Sequence, residues 1–371
     1  INAWTNKDKL PIFVTATCEF SRFDADETSA GEYILLNPNG GGIGLFSTTR
    51  VVYAYSNFLL SQNFYRYIFE KDINGENYRM GDVMRLAKIN TVNTLNKRNF
   101  SLLANPALRL SYPKYRVETT SLNNAGISET ADTLSALSKV TIAGIITDIS
   151  GQKLNNFSGT ITSVVYDKEQ QMNTLGNSGQ TPFSYKVQNN VIYKGQTTVR
   201  NGEFSFSFVI PKDISYNIGK GRILYYAENG SEDANGFFEG FYVGGSSGGQ
   251  VVDNEGPEIE LYMDDTSFQS GDETSQNPLL IARLFDENGI NTVGSGIGHD
   301  ITAVLNEDYS KVYILNEFYK SDQDEYRSGT IEFPFRNLPP GEHSLKLKAW
   351  DVANNSTEAE IKFVVTGDFI I

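Results

Sequence analysis

The pattern of hydrophobic residues changes once along the 371-residue chain, near residue 117, and this change limits the folds that the chain can adopt. Before it, short apolar runs such as residues 11–16 alternate with helical patterns. After it, strand-like segments follow one another, as at residues 204–210, where Phe and Ile alternate with Ser and Val. Strand–helix alternation is typical of α/β sheets, and successive short strands are typical of β-sandwiches. The sequence therefore predicts a multidomain protein whose α/β part precedes an all-β part.

The α/β part, residues 1–117, contains few strands. Helical patterns cover residues 28–36, 56–70 and 81–88, and buried parallel strands are predicted at 11–16 and 42–47, with further strand-like pieces over 100–110. In the middle helix Ser56 is the predicted cap, and Phe58, Tyr65 and Phe69 share one face. A parallel sheet needs several strands and cover on both faces. We therefore expect residues 1–117 to be the C-terminal half of a larger α/β domain.

The all-β part divides into two predicted β-sandwich domains of the Ig-like type, at residues 118–250 and 251–367. Residues 244–249 have the Gly/Ser composition of a flexible linker between them. Residues 368–371 contain the apolar run Phe369–Ile371 and read as the start of a further module. The predicted strands lie at residues 140–146, 160–166, 204–210, 223–227, 237–243, 279–285, 301–305, 312–315, 345–350 and 361–365.

Charge and cysteine content exclude several functional classes. The formal net charge is −14, which argues against nucleic acid as a partner, because binding to phosphates depends on Lys and Arg. No apolar stretch of about 18 residues is present, so the sequence predicts no membrane-spanning helix. Cys18 is the single cysteine, which excludes an internal disulfide and a cysteine zinc site.

Cys18 follows the first predicted strand, and functional groups of open α/β sheets lie beyond the carboxyl ends of the strands. It is therefore a candidate nucleophile, and the alternative is a small buried apolar residue. A thiol nucleophile needs a base, but residues 1–118 contain no histidine. His343 reads as a surface turn residue. His299 follows a Gly-rich loop beside Asp300, and that loop lacks the βα unit of a nucleotide site.

Four segments around Cys18 resemble the gingipain-type (C25) cysteine peptidases. They are FVTATCEFSRFD at residues 13–24, SAGE at 29–32, LLNPNGGGIGLFSTTR at 35–50 and LLANPALRL at 102–110. The resemblance covers residues 1 to about 112 and is nearest to the branch of the family that acts as the sortase of type IX secretion. The two predicted β-sandwich domains fit the later half of such proteins.

The resemblance implies a caspase-like fold with a Cys/His dyad. Cys18 matches the nucleophile, and the histidine is expected on a strand that precedes residue 1. Tyr53 falls where the family has an aromatic residue in the primary specificity pocket, and the alternative is packing at the start of a helix.

The resemblance also implies a function, partners and a location. The implied enzyme is a cell-surface cysteine endopeptidase and transpeptidase, peripheral to the outer membrane, that works without a cofactor or a metal. It removes the C-terminal signal domain of exported proteins through a thioester on Cys18 and attaches them to anionic lipopolysaccharide. The implied membrane partner is the outer-membrane β-barrel PorV.

Two alternatives come from other classes of protein. Acidic sandwiches joined by a Gly/Ser linker fit a non-catalytic surface protein that binds a partner or acts as a spacer. The Asp/Asn-rich loops Asp286–Asn288 and Asp351–Asn355 have residues that could bind a metal, although such loops are commonly simple turns and the EF-hand pattern is absent.

Overall fold

The computed structural model describes residues 1, 3–92, 95–127, 132–246, 253–293 and 298–367. The chain divides into two compact units, Ile1–Tyr112 and Pro113–Ile371. Residues 247–249 of the predicted linker and the predicted module at 368–371 lie outside the described residues. None of the described helices is long and apolar enough to cross a membrane.

The first unit contains a three-stranded sheet and three α-helices. In chain order they are β1 (Ile12–Val14), α1 (Ala30–Leu35), β2 (Gly44–Thr48), α2 (Ala54–Phe69), α3 (Met80–Asn90) and β3 (Phe100–Leu103). β2 is the central strand; it is parallel to β1 and antiparallel to β3. The parallel pairing predicted for the first two strands is therefore confirmed, and β3, for which no direction was predicted, returns antiparallel after two helices and a 3-10 turn at Leu95–Asn99.

The central strand is buried along its whole length. Phe46 stacks on Phe64 of α2 and on Phe100 of β3, with ring centroids 4.3 and 5.2 Å apart. Leu60 and Ile68 are also buried, and they lie on the same face of α2 as Phe64. Large aromatic rings in mutual contact contribute more than their buried area alone. β2 is therefore the fixed element from which the loops at its ends are positioned.

The opposite face of α2 is apolar and exposed. Phe58, Tyr65 and Phe69 do share one face, but they are 56%, 52% and 71% exposed, so this is not the face that packs into the unit's core. The predicted cap is also wrong. The N-cap is Tyr53, three residues before Ser56, and it uses no side-chain hydrogen bond.

The second unit begins with strands that surround one hydrophobic core. The strands are β4 (Tyr115–Leu122), β5 (Ala125–Gly126), β6 (Thr133–Ala136), β7 (Lys139–Thr147), β8 (Gly159–Tyr166), β9 (Gln170–Asn173), β10 (Ser184–Val187), β11 (Val191–Val199), β12 (Glu203–Val209), β13 (Gly219–Lys220), β14 (Arg222–Glu228), β15 (Asp233–Phe238) and β16 (Tyr242–Ser246). The largest sheet runs β11-β8-β14-β15-β4-β7-β12, with β5 beside β4. The single strand predicted at 237–243 is wrong, because residues 239–241 are not in a strand. The segment is divided between the end of β15 and the start of β16.

The same unit continues as a second pair of sheets. The strands are β17 (Glu258–Met263), β18 (Glu273–Thr274), β19 (Leu279–Phe285), β20 (Thr302–Leu305), β21 (Val312–Ile314), β22 (Tyr319–Ser321), β23 (Ser328–Pro334), β24 (Gly341–Trp350) and β25 (Ser356–Val365), with a 3-10 turn at Asn316–Phe318. The sheets β17-β19-β23-β22 and β18-β25-β24-β20-β21 enclose a core that includes Leu280, Ile331 and Leu347. Alternate residues of each long strand point into that core, as a sandwich requires.

Hydrogen bonds join the two β parts of this unit. The Thr198 amide and hydroxyl donate to the two oxygens of Asp324, at 2.7 and 2.6 Å. Asp213, which is buried, accepts from the side-chain amides of Asn291 and Asn354 at 2.9 and 2.7 Å. The two β parts are therefore linked by paired polar side chains as well as by the chain itself.

Candidate active site

Cys18 lies in a loop that leaves the carboxyl end of β1. The Thr15 amide donates to the Phe46 carbonyl at 3.0 Å, so the chain stays beside β2 for one residue beyond the strand. Cys18 itself is exposed, and its Sγ–H donates to the carbonyl of Val52 at 3.5 Å. A free thiol at this edge of the sheet is open to an approaching carbonyl group, as the sequence predicts for a nucleophile.

The loop around Cys18 is held to β2 by its backbone. Thr48 donates its hydroxyl to the carbonyl of Thr17, and the Ser21 amide donates to the Thr48 carbonyl at 2.9 Å. Glu19 directly after the thiol has φ of 54°, the left-handed region that a non-glycine residue seldom adopts. Backbone strain of this kind is concentrated at functional sites and persists only where the surroundings enforce it. The thiol is therefore presented from a rigid turn.

A chain of three hydroxyl groups lies under this turn. Ser21 Oγ donates to Ser47 Oγ at 2.7 Å, and Ser47 Oγ lies 2.6 Å from Thr15 Oγ1. Ser21 and Ser47 are fully buried. Gly31 of α1 allows the close approach, since a Cβ at that position would lie 2.0 Å from Ser21 Oγ. Ser21 therefore connects the Cys18 loop to β2 through its hydrogen bond with Ser47, and to α1 through its close contact with Gly31.

Tyr53 is brought close to Cys18 through its neighbour Val52. The Tyr53 side chain is 81% exposed, so it does not pack into the core at the helix start. Its backbone N–H donates to Oδ1 of Asn96 at 2.6 Å. Sequence reasoning missed Asn96, because an asparagine in a short 3-10 turn carries no pattern that connects it to a cysteine 78 positions earlier.

Charged residues that follow Cys18 in the loop form ion pairs. Arg50 makes a bidentate pair with Asp24 at 3.0 and 2.6 Å, and Arg22 lies 3.2 Å from Glu19. The hydrogen bond from Arg50 lowers the pKa of Asp24, and the pair is about half exposed. These ion pairs lie at the surface, and pairs of this kind contribute little to stability.

The two histidines of the sequence lie in the second unit. His343 is buried in β24, donates from Nε2 to the Pro339 carbonyl at 2.8 Å and accepts from Asn306 at Nδ1 at 3.0 Å. It is a core histidine, so its prediction as a surface turn residue is wrong. The imidazole Nδ1 of His299 lies 2.6 Å from Asp213 Oδ2. Residues 294–297 of the Gly-rich loop before it lie outside the described residues.

Three carboxylates of the second unit form a cluster that could hold a cation. Asp253, Asp286 and Asp351 each offer an oxygen, and the three oxygens lie within 4.8 Å of one another. Burial, with smaller contributions from the charges of Asp351 and Asp253, raises the pKa of Asp286 to about 6. The two Asp/Asn-rich loops that the sequence singled out thus meet, and Asp253 is the member that it did not indicate.

Cys18 is thus an exposed thiol beyond the carboxyl end of β1, followed by a residue with left-handed backbone and in contact with the Val52 carbonyl. Residues 1–111 match the family model described as peptidase family C25. This part of the chain is therefore C25-like, and the resemblance drawn from its motifs is confirmed.

Solved structures include several to which the chain is similar. Dimeric latent PorU from Porphyromonas gingivalis is 33% identical, with 88% of this chain and 32% of that chain covered and a TM-score of 0.45. The complex of the RgpB pro- and mature domains, also from Porphyromonas gingivalis, is 12% identical over 62% of this chain and 48% of that chain, with a TM-score of 0.28. The Arg-specific cysteine proteinase gingipain R is 13% identical over 62% of this chain and 46% of that one, with a TM-score of 0.27. No curated protein matches the chain.

Proposed function

We propose that the protein is a cell-surface cysteine endopeptidase and transpeptidase, the sortase of a type IX secretion system. The observation that carries this proposal is the exposed Cys18 thiol on its rigid turn, inside the segment that matches peptidase family C25. The first unit would then be part of a caspase-like domain, and the two sandwiches of the second unit would be Ig-like modules that position the enzyme.

In this mechanism Cys18 forms and then releases a thioester. A base takes the thiol proton, and Sγ attacks the scissile carbonyl to form a tetrahedral intermediate whose oxyanion is stabilised by nearby backbone N–H groups. Collapse breaks the C–N bond, and the protonated base gives its proton to the leaving amine. An amine of the lipopolysaccharide acceptor then attacks the thioester, forms the new amide and returns the proton to Sγ. Water in place of the amine gives simple hydrolysis.

The base is the part of this mechanism that the first unit does not supply. Residues 1–112 contain no histidine. We propose that the base is a histidine from elsewhere in the working enzyme. The C-terminal signal domain of an exported protein would be the leaving fragment, and the outer-membrane β-barrel PorV would hold the enzyme at the cell surface. Tyr53, which is exposed to solvent and follows the Val52 carbonyl that contacts the thiol, would contact the residue before the scissile bond.

The test is processing of exported proteins in cells whose own copy is replaced by Cys18→Ser. We expect loss of processing, with exported proteins that keep their C-terminal domain, while the variant accumulates to the normal level. A change of Ser101 to Ala on β3 is a matched control, because Ser101 is directly opposite Ser47 and its side chain has no hydrogen-bond partner among the described residues. Normal processing by Cys18→Ser would refute the proposal.

A second candidate function rests on the size of the second unit. The β-sheets of Pro113–Ile371 make up most of the chain and bring no residue of the predicted dyad, so a non-catalytic surface protein that binds or spaces is the alternative. If that alternative is right, Cys18→Ser leaves processing of exported proteins intact, whereas deletion of the second unit abolishes the binding or spacing function.

A further inference from the structure

We propose that Asn96 is a positioning residue for Cys18, which acts by holding the peptide group that receives the thiol. The inference rests on the proposed role of Cys18 as a nucleophile. The peptide group between Val52 and Tyr53 makes one hydrogen bond through its carbonyl and another through its N–H. Val52 contributes its carbonyl, which accepts from Cys18 Sγ at 3.5 Å, and Tyr53 contributes its N–H, which donates to Asn96 Oδ1 at 2.6 Å.

The carbonyl and the N–H belong to the same planar group, so they move together. A peptide bond is planar and resists twisting, and a contact that fixes the N–H therefore also fixes the direction of the carbonyl. Rotation of the Val52–Tyr53 peptide would break both hydrogen bonds at once. The orientation of the thiol is thereby linked to a side chain that does not touch it.

The 3-10 turn that contains Asn96 also forms hydrogen bonds with Thr49 and Val51, which precede this peptide. The Asn99 side-chain amide donates to the Val51 carbonyl at 2.8 Å, and its backbone carbonyl accepts from the Thr49 amide, also at 2.8 Å. Thr49, Val51 and Tyr53 are therefore held at alternate positions by a single turn. The turn thus holds the connection between β2 and α2 from the side opposite the Arg50 and Val52 carbonyls, which accept from Glu19 and Cys18.

Asn96 also carries a feature that its role in stability does not explain. It is 5% exposed, and its Nδ2 is buried with no hydrogen-bond partner among the described residues. A buried donor without a partner is destabilising, and an apolar side chain would avoid that loss. Tyr53 uses no side-chain hydrogen bond to cap α2, so the Oδ1 of Asn96 is the contact that anchors the helix start. An asparagine supplies the acceptor for the Tyr53 N–H that an apolar side chain would lack, and this contact fixes the Val52–Tyr53 peptide.

Three variants of the full-length protein separate positioning from stability. Asn96→Leu keeps the volume and removes the acceptor, and Asn96→Asp keeps an oxygen in the place of Oδ1. Asn57→Leu is the matched control, because Asn57 is also 5% exposed and also has one buried polar atom, its Oδ1, without a partner among the described residues. Unlike Asn96, its side chain does not bond the Val52–Tyr53 peptide. Asn96→Ala replaces Asn96→Leu if that variant does not fold, with the same expectations.

Two readouts are measured for each variant: hydrogen exchange of the Tyr53 amide, and saturation kinetics of a peptidyl acyloxymethyl ketone that labels Cys18. In Asn96→Leu we expect the amide to exchange about tenfold faster, as the loss of one hydrogen bond predicts. The limiting labelling rate constant should fall about tenfold or more, because misorientation of a nucleophile affects reaction rather than binding, and the half-saturating concentration should stay within about twofold. Asn57→Leu should stay near the wild type in both readouts, and Asn96→Asp, which keeps an acceptor for the Tyr53 N–H, should keep the slow exchange of that amide.

Three outcomes would overturn the inference: unchanged Tyr53 exchange in Asn96→Leu, faster exchange with an unchanged labelling rate constant, or an equal loss in Asn57→Leu. Failure of the proposed function looks different. In that case the wild-type thiol reacts with iodoacetamide, which needs only a free thiol, but shows no saturable labelling by the ketone. The exchange comparison still shows whether Asn96 holds the peptide.

Discussion

Ser47 is the residue whose loss should most weaken the turn that presents Cys18. It is fully buried on β2, accepts from Ser21 and shares a hydrogen bond with Thr15. Ser47→Ala leaves the buried Ser21 hydroxyl unpaired, which costs about 1–3 kcal/mol, and removes the net contribution of the second hydrogen bond, about 1 kcal/mol. The total expected loss is about 2–4 kcal/mol, a large share of the about 5–15 kcal/mol that stabilises a typical domain.

The assay is native-state hydrogen exchange of amides in Ile1–Tyr112, which reports the free energy of opening of this unit separately from the other. Ser21→Ala should cost only about 1 kcal/mol, since Ser47 can still bond Thr15. The double variant should be less destabilised than the sum of the single ones by about 1 kcal/mol or more, because it leaves no orphaned donor. Additive losses, or a Ser47→Ala cost equal to that of Ser21→Ala, would refute the hydroxyl chain.

Three further outcomes are expected. Gly31→Ala should destabilise the first unit and slow labelling of Cys18, because its Cβ would lie 2.0 Å from Ser21 Oγ; an unchanged melting temperature would contradict this close approach. Asp24→Asn should leave the melting temperature nearly unchanged, because its pair with Arg50 is exposed to solvent, and a marked fall in a thermal scan would show that the pair anchors the loop. The pKa of Asp286 is raised to about 6, so its proton is bound more tightly in the folded state, and stability should fall by up to about 3 kcal/mol as pH rises from 4 to 7 in EDTA. Asp286→Asn should flatten this dependence in denaturant unfolding, and an unchanged slope would refute it.

The sequence predicted well those elements whose hydrophobic pattern is local. The strand at 279–285 is found as predicted, and the alternation after residue 203 places Phe204, Phe206 and Phe208 in the core of the first sandwich. Helix α1 lies within the predicted 28–36, and Cys18 lies beyond β1 as the strand pattern required. Local periodicity was sufficient for these features because each depends on residues close together in the chain.

Long-range contacts could not be read from the same patterns. The apolar residues of α2 cover more than one face, so the spacing alone did not show that Phe64, rather than Phe58, packs on β2. His343 is buried because Asn306 and Pro339 satisfy both of its ring nitrogens, and neither is evident from the adjacent turn residues. Asn96 acts across 43 positions on Tyr53. Tertiary partners decide these cases, and one sequence does not reveal them.

Labelling of the native protein by a peptidyl acyloxymethyl ketone distinguishes a nucleophilic Cys18 from a thiol that is merely exposed. Peptide mapping by mass spectrometry identifies the residue that is modified. We expect saturable, time-dependent labelling on Cys18 at neutral pH, with none on the Cys18→Ser variant. Labelling that does not saturate, or that falls on other residues while Cys18 stays free, would contradict it.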